Sequence, residues 1–302
     1  MSRLGVVTVT YNSGSVLAPF LACCARQQGV DFVLVVVDNA SKDQTRALLE
    51  RTDRTRMQVL LNEANLGVAE GNNQGIEIAL AHGCDRILLL NNDTEFGPTL
   101  FADLTRSLEA NGCDALTPRI VFHDDPASNW FVAGEFKYVW GPDARHETMA
   151  TPRSVAYAIS YAPTCCMIVR DSVFAHIGLM DAAYFVYWDD TDFCLRMQRA
   201  GLRLMCDTSL SMSHKVSSLT GGTTSDFFIR YHHRNQVYYV RKHFGLVVLA
   251  YTLLMSILKA AIRVPLRGDT LRQFGLRLRS MVEGFSLPVA GQIDLHGRPR
   301  AD

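Results

Sequence analysis

The segment DRILLLNNDTEF, residues 85–96, joins an apolar run directly to a group of polar side chains. Residues 86–90 are predicted to form a β-strand, and the apolar run 87–90 within it is typical of burial on both faces. The amides and carboxylate of residues 91–93 follow at once. A strand-end aspartate is more often a cap or turn residue, but carboxylate oxygens are also the ligands that hard divalent cations prefer. The segment therefore predicts a rigid strand whose polar tip is suited to a cation.

Three other apolar, β-branched runs precede this strand: LGVVTVT at 4–10, FVLVVVD at 32–38 and MQVLL at 57–61. Helical patterns lie between and after them, at about 14–28, 42–53, 68–82 and 97–111. Strands that alternate with helices at this spacing predict an α/β fold with a Rossmann-like, mostly parallel sheet flanked by helices.

Polar residues follow all four predicted strands. The strands end at Thr10, Tyr11 and Asn12; at Asp38 and Asn39; in NEANLG at 62–67; and in residues 91–93. Solvated loops explain one or two such ends, but four, with carboxylates on two, indicate a site. In open α/β sheets ligands bind outside the carboxyl ends of the strands, so we expect the site at this edge.

The second half of the chain contains two further candidate groups. Asp189, Asp190 and Asp192 crowd the first turn of a predicted helix, a position where acids are common. Adjacent acids among aromatic residues also raise one another's pKa, as a general base requires. His214 precedes a Ser/Thr/Gly-rich loop that contains the glycine pair 221–222, which suits either a structural histidine or a ligand on a closing lid.

The remaining elements of the second half are less regular. Residues 123–155 carry the prolines and aromatics of a loop, 165–170 read as a strand, 189–201 read as an amphipathic helix, and the pattern is helical from 226 onward.

The eight cysteines form no C-x-x-C pair and mostly lie in apolar runs, which indicates small core residues in a reducing compartment. The N-terminus enters a strand directly and has no signal-peptide layout, so a cytoplasmic location is expected.

Charge is unevenly distributed along a chain whose formal net charge is zero. Residues 226–302 contain 12 Lys and Arg against 5 Asp and Glu. Within them, residues 244–258 carry no charge and have basic flanks. This run is shorter than the roughly 20 residues that span a bilayer, so it predicts either an interfacial helix or a buried packing helix. A membrane-surface contact through 241–280 and a homo-oligomer contact both remain open.

Five motifs occur in the order and spacing of family 2 glycosyltransferases with the GT-A fold: VTYNSG, VVVDNASKDQT, NLGVAEGNNQGI, LLLNNDT and YWDDTDFCLRMQRAG followed by a histidine. The sequence resembles the rhamnosyltransferase-like branch of this family over about residues 4–220. The resemblance implies a catalytic, nucleotide-sugar-binding domain at 1–225 and a helical region at 226–302 for membrane-surface or oligomer contact.

The resemblance also implies a nucleotide-binding set, comprising Thr10, Tyr11, Asn12, Asp38, Asn65, Gly67, Asn72 and Asn92. Tyr11 would lie beside the pyrimidine, Asp38 would accept a hydrogen bond from its N3–H, and Asn92 would lie near the ribose. Asn65 and Gly67 would form the loop that lines the nucleotide.

Asp93 and His214 match the residues that hold Mg²⁺ or Mn²⁺ in this family, and Asp190 matches the catalytic base. Two positions depart from the family pattern. Asn91 replaces the first acid of the D-x-D motif, which leaves the metal fewer anionic ligands. Asp189 replaces a glutamate, so the side chain that would orient the acceptor is one methylene shorter.

The resemblance implies inverting transfer of a sugar from a dTDP- or UDP-linked donor to a hydroxyl of a glycan or lipid-linked glycan in cell-surface polysaccharide synthesis. Rhamnose from dTDP-rhamnose is favoured by the likeness alone. No nucleic-acid partner is expected, and the location would be cytoplasmic or peripheral on the inner membrane face. A sugar-nucleotide nucleotidyltransferase would need a basic, Gly-rich loop after the first strand, and YNSGSVLAPF contains no Lys or Arg. A non-catalytic nucleotide-sugar-binding module remains the other alternative.

Overall fold

The structure is a computed structural model that describes residues 3–137, 142–148, 155–215 and 224–289. Its strands are β1 Leu4–Thr10, β2 Phe32–Asp38, β3 Met57–Leu61, β4 Arg86–Leu90, β5 Thr94–Glu95, β6 Ala115–Phe122, β7 Asn129–Phe131, β8 Ala133–Lys137, β9 Asp143–Glu147, β10 Ala156–Ile159, β11 Cys166–Arg170 and β12 Leu204–His214. Its α-helices are α1 Leu17–Ala25, α2 Thr45–Arg51, α3 Gly67–Ala81, α4 Leu100–Ala110, α5 Asp171–Ile177, α6 Asp189–Arg199, α7 Asp226–His243, α8 Leu246–Arg267 and α9 Leu271–Ser286.

Most strands join one mixed sheet in the order β10-β12-β6-β11-β4-β1-β2-β3, with β5 and β7 added to β12 and β6. The four strands predicted from the first half are parallel and have the predicted bounds. Beyond β4 the direction changes, because β11 lies antiparallel between β4 and β6. The expected parallel arrangement therefore holds for one half of the sheet, and the whole is mixed α/β with flanking helices.

Glycines on α3 explain how closely this helix approaches the sheet. A Cβ on Gly71 would lie 2.8 Å from Val9 Cγ1, and a Cβ on Gly75 would collide with Val7. The spacing of four places both glycines on the face of α3 that packs on β1. This close packing fixes the start of α3, and with it the preceding loop, relative to the strand ends.

Residues 123–155 were expected to be loop-like, and this expectation is wrong for part of the segment. Residues 129–131 form β7 on β6, and β8 pairs with β9 in a separate two-stranded sheet. These strands have only three to five residues each, and β8 and β9 contain charged residues, so local composition does not identify them. Residues 138–141, 149–154 and the glycine pair 221–222 lie outside the described part of the chain.

The cysteines are all buried and free, as the sequence predicted. The helical C-terminal region is also confirmed, but its first helix is not separate from the sheet region. Asp192 on α6 is fully buried and receives Lys242 Nζ at 2.7 Å and His243 Nε2 at 2.6 Å, both from the end of α7. Arg196 completes the cluster at 2.7 Å, so a buried ionic network joins α6 to α7.

Helix α8 has a strongly apolar, outward-facing side. The exposed side chains include Val247 at 84%, Leu254 at 56% and Ile262 at 54%. Residues 246–266 are long and apolar enough to cross a membrane by length and composition, and only 22% of the most apolar window is buried. Of the two alternatives that the sequence left open, the exposure of α8 within the described chain favours the interfacial helix.

Candidate active site

The carboxyl ends of β1 and β2 meet at Asp38, whose side chain is completely buried. Thr10 Oγ1 donates to Asp38 Oδ1 at 2.9 Å, while the Ser41 N–H and Arg46 Nε donate to Oδ2 at 3.1 and 2.7 Å. A carboxylate offers about four acceptor positions. These three bonds fix the orientation of Asp38 and leave it capacity for one further N–H donor.

Tyr11 and Asn12 turn the chain away from β1. Asn12 adopts φ 50°, a left-handed conformation that asparagine tolerates better than most residues. Ser41 Oγ accepts the Asn12 N–H at 2.8 Å, and Asn12 Oδ1 accepts the Lys42 N–H at 2.8 Å. The turn leaves Tyr11 46% exposed, so its ring is available to stack on a flat ligand.

The loop that carries Asn65 and Gly67 is tied to the end of β2. Asn39 Nδ2 donates to Gly67 O at 2.8 Å, and Asn62 Nδ2 donates to Asn39 Oδ1 at 2.8 Å. Asn65 Oδ1 accepts the Gly67 N–H at 3.0 Å. The predicted nucleotide loop therefore lies beside the strand ends.

Asn72 and Asn92 are both buried. Asn92 Nδ2 donates to Val9 O at 2.6 Å, which places this side chain against the end of β1. Asn72 Nδ2 lies 3.6 Å from Met180 Sδ, so it faces the segment that precedes α6. Asn92 and Asn72 thus connect the site to the end of β1 and to the segment before α6, respectively.

Asp93 and His214 are brought together by the antiparallel pairing of β5 with β12, in which His214 lies opposite Thr94. His214 Nε2 is 3.1 Å from Asp93 Oδ1, and both side chains are about nine-tenths buried. Trp130 packs edge-on against the imidazole at 4.8 Å between ring centroids. The sequence-predicted metal ligands, 121 positions apart in the chain, therefore converge.

This pair fits a divalent cation with a partly open coordination shell. Two ligands at right angles, each about 2.1 Å from an octahedral Mg²⁺, are roughly 3.0 Å apart, close to the 3.1 Å observed. No group of three or more His, Cys, Asp or Glu suited to a metal occurs in the described ranges. Mg²⁺ usually takes one or two protein carboxylates plus substrate phosphates, so a diphosphate would have to complete the shell. Asn91, at the first D-x-D position, is exposed.

The acidic pair begins α6. The Asp190 carboxylate accepts the phenolic O–H of buried Tyr161 on Oδ2 at 2.8 Å and the Thr191 N–H on Oδ1 at 2.7 Å. Asp189 is buried, and burial together with the neighbouring Asp190 charge raises the pKa of Asp189 to about 8. Burial and the neighbouring charge therefore favour the protonated form of Asp189, and Asp190, which is less buried, is the better placed of the two to accept a proton.

The metal pair and the acid pair lie around one buried thiol. Burial is the main cause of the raised pKa of Cys165, but the charges of Asp93 and Asp190 both contribute. Tyr161 is close enough to Asp190 and Cys165 that, after burial, both also raise the pKa of its phenol. Asp93 and Asp190, which were predicted to bind a metal and to accept a proton, are therefore both near the Cys165 side chain.

Sequence reasoning missed several residues of this site. Tyr161 has no motif around it and reaches Asp190 only through the fold. Arg46 lies within SKDQTR, where it looks like an ordinary helical surface residue, yet it binds Asp38 and also donates to Asn62 O at 2.7 Å. Asn39 was noticed only as a strand-end residue.

The family profile described as Glycosyl transferase family 2 matches residues 5–178, more than half of the chain. The chain belongs to this glycosyltransferase family. The profile covers β1 to α5 and therefore contains Asp93 and the residues predicted to bind the nucleotide, while Asp190 and His214 lie beyond it. This assignment agrees with the resemblance of the five sequence motifs to family 2, and the protein is a glycosyltransferase.

Among curated relatives, the N-acetylglucosaminyl-diphospho-decaprenol L-rhamnosyltransferase of Mycobacterium tuberculosis is 27% identical over 264 residues, which cover 80% of this chain and 85% of the relative. The dTDP-rhamnosyl transferase RfbF of Shigella flexneri is 23% identical over 215 residues, covering 71% and 70%. The chain is thus similar to rhamnosyltransferases within its family.

Solved structures give the same fold. S. aureus TarS residues 1–349 has a TM-score of 0.60 at 16% identity, with 95% of this chain and 81% of that chain covered. GalNAc-T7, whose structure contains UDP, GalNAc and Mn²⁺, has a TM-score of 0.63 at 13% identity, with 97% and 59% covered. At these identities the likeness supports the GT-A-type fold alone.

Proposed function

We propose that this glycosyltransferase is metal-dependent and inverting, and that it transfers rhamnose from dTDP-rhamnose to a hydroxyl of a glycan or lipid-linked glycan during cell-surface polysaccharide synthesis. The observation that carries the reaction type is the arrangement around Cys165, with Asp93 and His214 in one group and Asp190 with Tyr161 in the other. Rhamnose as the donor sugar rests on the similarity to the two rhamnosyltransferases.

The nucleoside would bind at the ends of β1 and β2. The exposed Tyr11 ring offers a stacking surface, and Asp38 retains capacity for the N3–H of a pyrimidine. Asn65, Gly67 and Asn92 would line the nucleotide from the neighbouring strand ends.

Asp93 and His214 would hold Mg²⁺ or Mn²⁺, whose positive charge stabilises the negative charge on a departing diphosphate. Asp190 accepts the proton of the acceptor hydroxyl as its oxygen attacks the anomeric carbon, and the bond from that carbon to the diphosphate breaks. Tyr161 holds one carboxylate oxygen of Asp190 at 2.8 Å and so restricts its rotation. Proton transfer to a positioned base contributes on the order of 10²–10⁴ in rate.

The test is a panel of nucleotide sugars assayed for hydrolysis and transfer with Mg²⁺, Mn²⁺ or EDTA. Asp93→Ala and His214→Ala should weaken metal-dependent donor binding, whereas Asp190→Asn should bind donor normally and lose turnover. Asp125→Asn, on an exposed loop, is the matched control and should behave like the unmodified protein. Turnover retained by Asp190→Asn would eliminate it as the base, and metal-independent donor binding would eliminate the cation role.

We also propose that the exposed apolar side of α8 lies on a membrane surface, which would bring a lipid-linked acceptor to the site. Val247, Tyr251, Leu254 and Leu258 follow one another at three- and four-residue intervals and are all more than 40% exposed. The basic bias of the C-terminal region favours an anionic surface.

Full-length protein should co-sediment with vesicles that contain anionic lipid, and a Val247→Glu, Leu254→Glu, Leu258→Glu variant should not. The control is a Gln28→Glu, Thr55→Glu, Gln58→Glu variant, which adds the same charge at exposed polar positions outside α8. A dimer in light scattering that the α8 variant converts to monomer, without vesicle binding by either protein, would identify this face as a homo-oligomer contact instead.

A further inference from the structure

The segment that leads into the acidic pair has an unusual backbone. Phe185, Tyr187 and Trp188 adopt φ of 64°, 61° and 69°, in the left-handed region that bulky side chains rarely occupy. Each such residue costs on the order of 1–3 kcal/mol and persists only where surrounding contacts hold it. Trp188 is the N-cap of α6, so the course of this segment sets where the helix begins and where its second residue, Asp190, lies.

Asn235 on α7 supplies the central polar contacts to this segment. Its Nδ2 donates to the backbone carbonyls of Tyr184, Val186 and Tyr187 at 2.8, 2.7 and 2.9 Å. The Asn235 side chain is completely buried, and its Oδ1 accepts from Arg234 Nε at 2.8 Å. The two hydrogens of one amide group are thus shared among three carbonyl oxygens. This is possible only because the backbone of the segment curves around Asn235 Nδ2.

Aromatic side chains of α7 hold the same segment from outside. Tyr231 stacks on Phe185 with 4.9 Å between ring centroids and an interplanar angle of 16°. His232 Nδ1 accepts from Trp188 Nε1 at 3.3 Å; burial lowers the pKa of His232 to about 4, so the ring is neutral and can accept.

The segment also touches the nucleotide loop. Phe185 O accepts the Val68 N–H at 2.5 Å, and a Cβ on Gly67 would collide with Phe185. The left-handed segment therefore lies between α7 and the start of α3, with the acidic pair at its end.

We propose that Asn235 is a positioning residue for the transfer reaction. It holds the backbone of residues 184–187, in which Phe185 and Tyr187 are left-handed, and thereby directs Asp190 toward Tyr161 and the acceptor hydroxyl. This inference rests on the proposed function, because it assigns Asn235 to the same acceptor-activating carboxylate. Asn235 does not itself touch the reacting atoms.

Asn235→Ala tests the inference, with Gln236→Ala as a matched control. Gln236 is also a buried carboxamide on α7, but its Oε1 accepts from Ser256 on α8 at 3.1 Å and not from the segment. A displacement of about 1 Å at a reacting group costs on the order of 10²-fold in rate. Asn235→Ala should therefore lower kcat by 10- to 100-fold, roughly on that scale, while KM for the donor changes little, and Gln236→Ala should keep kcat.

Hydrogen–deuterium exchange gives a readout that does not require activity. Asn235→Ala should speed exchange in peptides that cover residues 182–192, leaving peptides of β1 and β4 unchanged, and Gln236→Ala should not. Unchanged exchange in 182–192, or kcat equal to that of the unmodified protein, overturns the inference. If no nucleotide sugar is turned over by the unmodified protein, the proposed function fails, and the exchange result still decides whether Asn235 holds the segment.

If Asn235→Ala does not fold, substitutions of Tyr231, which stacks on Phe185, provide a second test. Tyr231 is partly exposed, so its substitution is better tolerated. Tyr231→Phe keeps the ring on Phe185, so its kcat and its hydrogen–deuterium exchange in residues 182–192 should equal those of the unmodified protein. Tyr231→Ala should lower kcat and speed exchange in the same residues. Equal kcat in the two variants would overturn the inference.

Discussion

The raised pKa of Asp189 predicts how the stability of this protein depends on pH. The ordinary pKa of this group is 3.8 and its folded-state pKa is about 8, chiefly because of burial and then because of the Asp190 charge. Between these values the folded state keeps a proton that the unfolded chain has released. The unfolding free energy therefore falls as pH rises, by up to about 1.4 kcal/mol per pH unit from this group.

Asp189→Asn removes this titration and keeps an acceptor oxygen of the same shape. From pH 5 to pH 7, the stability of the variant relative to the unmodified protein should rise by roughly 2–3 kcal/mol. Urea denaturation followed by circular dichroism at pH 5, 6, 7 and 8, in EDTA and without nucleotide, measures this difference. Titrating groups that do not interact with Asp189 contribute equally to both proteins and cancel, and the coupled Asp190 is treated separately by its own variant.

Asp190→Asn tests whether the Asp190 charge contributes to the raised pKa of Asp189. Without the Asp190 charge, the second contribution to the raised pKa is lost, and the pH-dependent effect of Asp189→Asn in that background should become smaller. A stability difference between Asp189→Asn and the unmodified protein that stays constant from pH 5 to pH 8 would refute the reasoning. Because burial and the neighbouring charge favour the protonated form of Asp189, Asp189→Asn should also lose less turnover than Asp190→Asn.

Three other predictions follow from the same structure. Tyr161→Phe removes a hydrogen bond to the Asp190 carboxylate, a kind of bond worth about 1.5–3 kcal/mol, and should lower kcat by about tenfold or more with donor binding unchanged in calorimetry. Gly67→Ala should weaken donor binding and lower Tm more than Gly83→Ala does, because both glycines have positive φ but only Gly67 lacks space for a Cβ. Asp192→Asn leaves buried cations unpaired and should cost about 3–5 kcal/mol in urea denaturation at pH 7. Since those cations lower the pKa of Asp192, its stabilising contribution is present above pH 4 and is lost as pH falls further, so the penalty should shrink in acid.

The sequence was sufficient for the parallel half of the sheet. Strands β1 to β4 are buried on both faces, so each is a continuous apolar run with a polar end, and their bounds could be read without knowledge of their neighbours. The four helices of this half were placed correctly, and three of them were predicted to be longer than they are, since helix ends lack the apolar period that defines their middle. The direction of β11 could not be predicted, because it depends on the strands between which it lies.

The convergence of Asp93 with His214 was predicted from the family resemblance, and the structure places the two side chains 3.1 Å apart. The contacts of Tyr161 and Asn235 could not be predicted in that way. Tyr161 reaches Asp190 from a separate strand-loop segment, and Asn235 acts on backbone carbonyls, which leave no trace in side-chain spacing. Residues that hold a backbone in place are invisible to motif reasoning for this reason.

The two halves of the proposed site differ in what holds them. The donor half consists of strand ends in a buried parallel sheet, and its side chains are fixed by neighbours such as Arg46 and Asn39. The acceptor half depends on α7, whose Asn235 holds the segment before Asp190. Helix α8 begins only three residues after the last residue of α7, so the apolar surface proposed to lie on lipid is closely linked to the helix proposed to position the base. Membrane contact would therefore orient the acceptor half, while the donor half could bind nucleotide sugar independently of it.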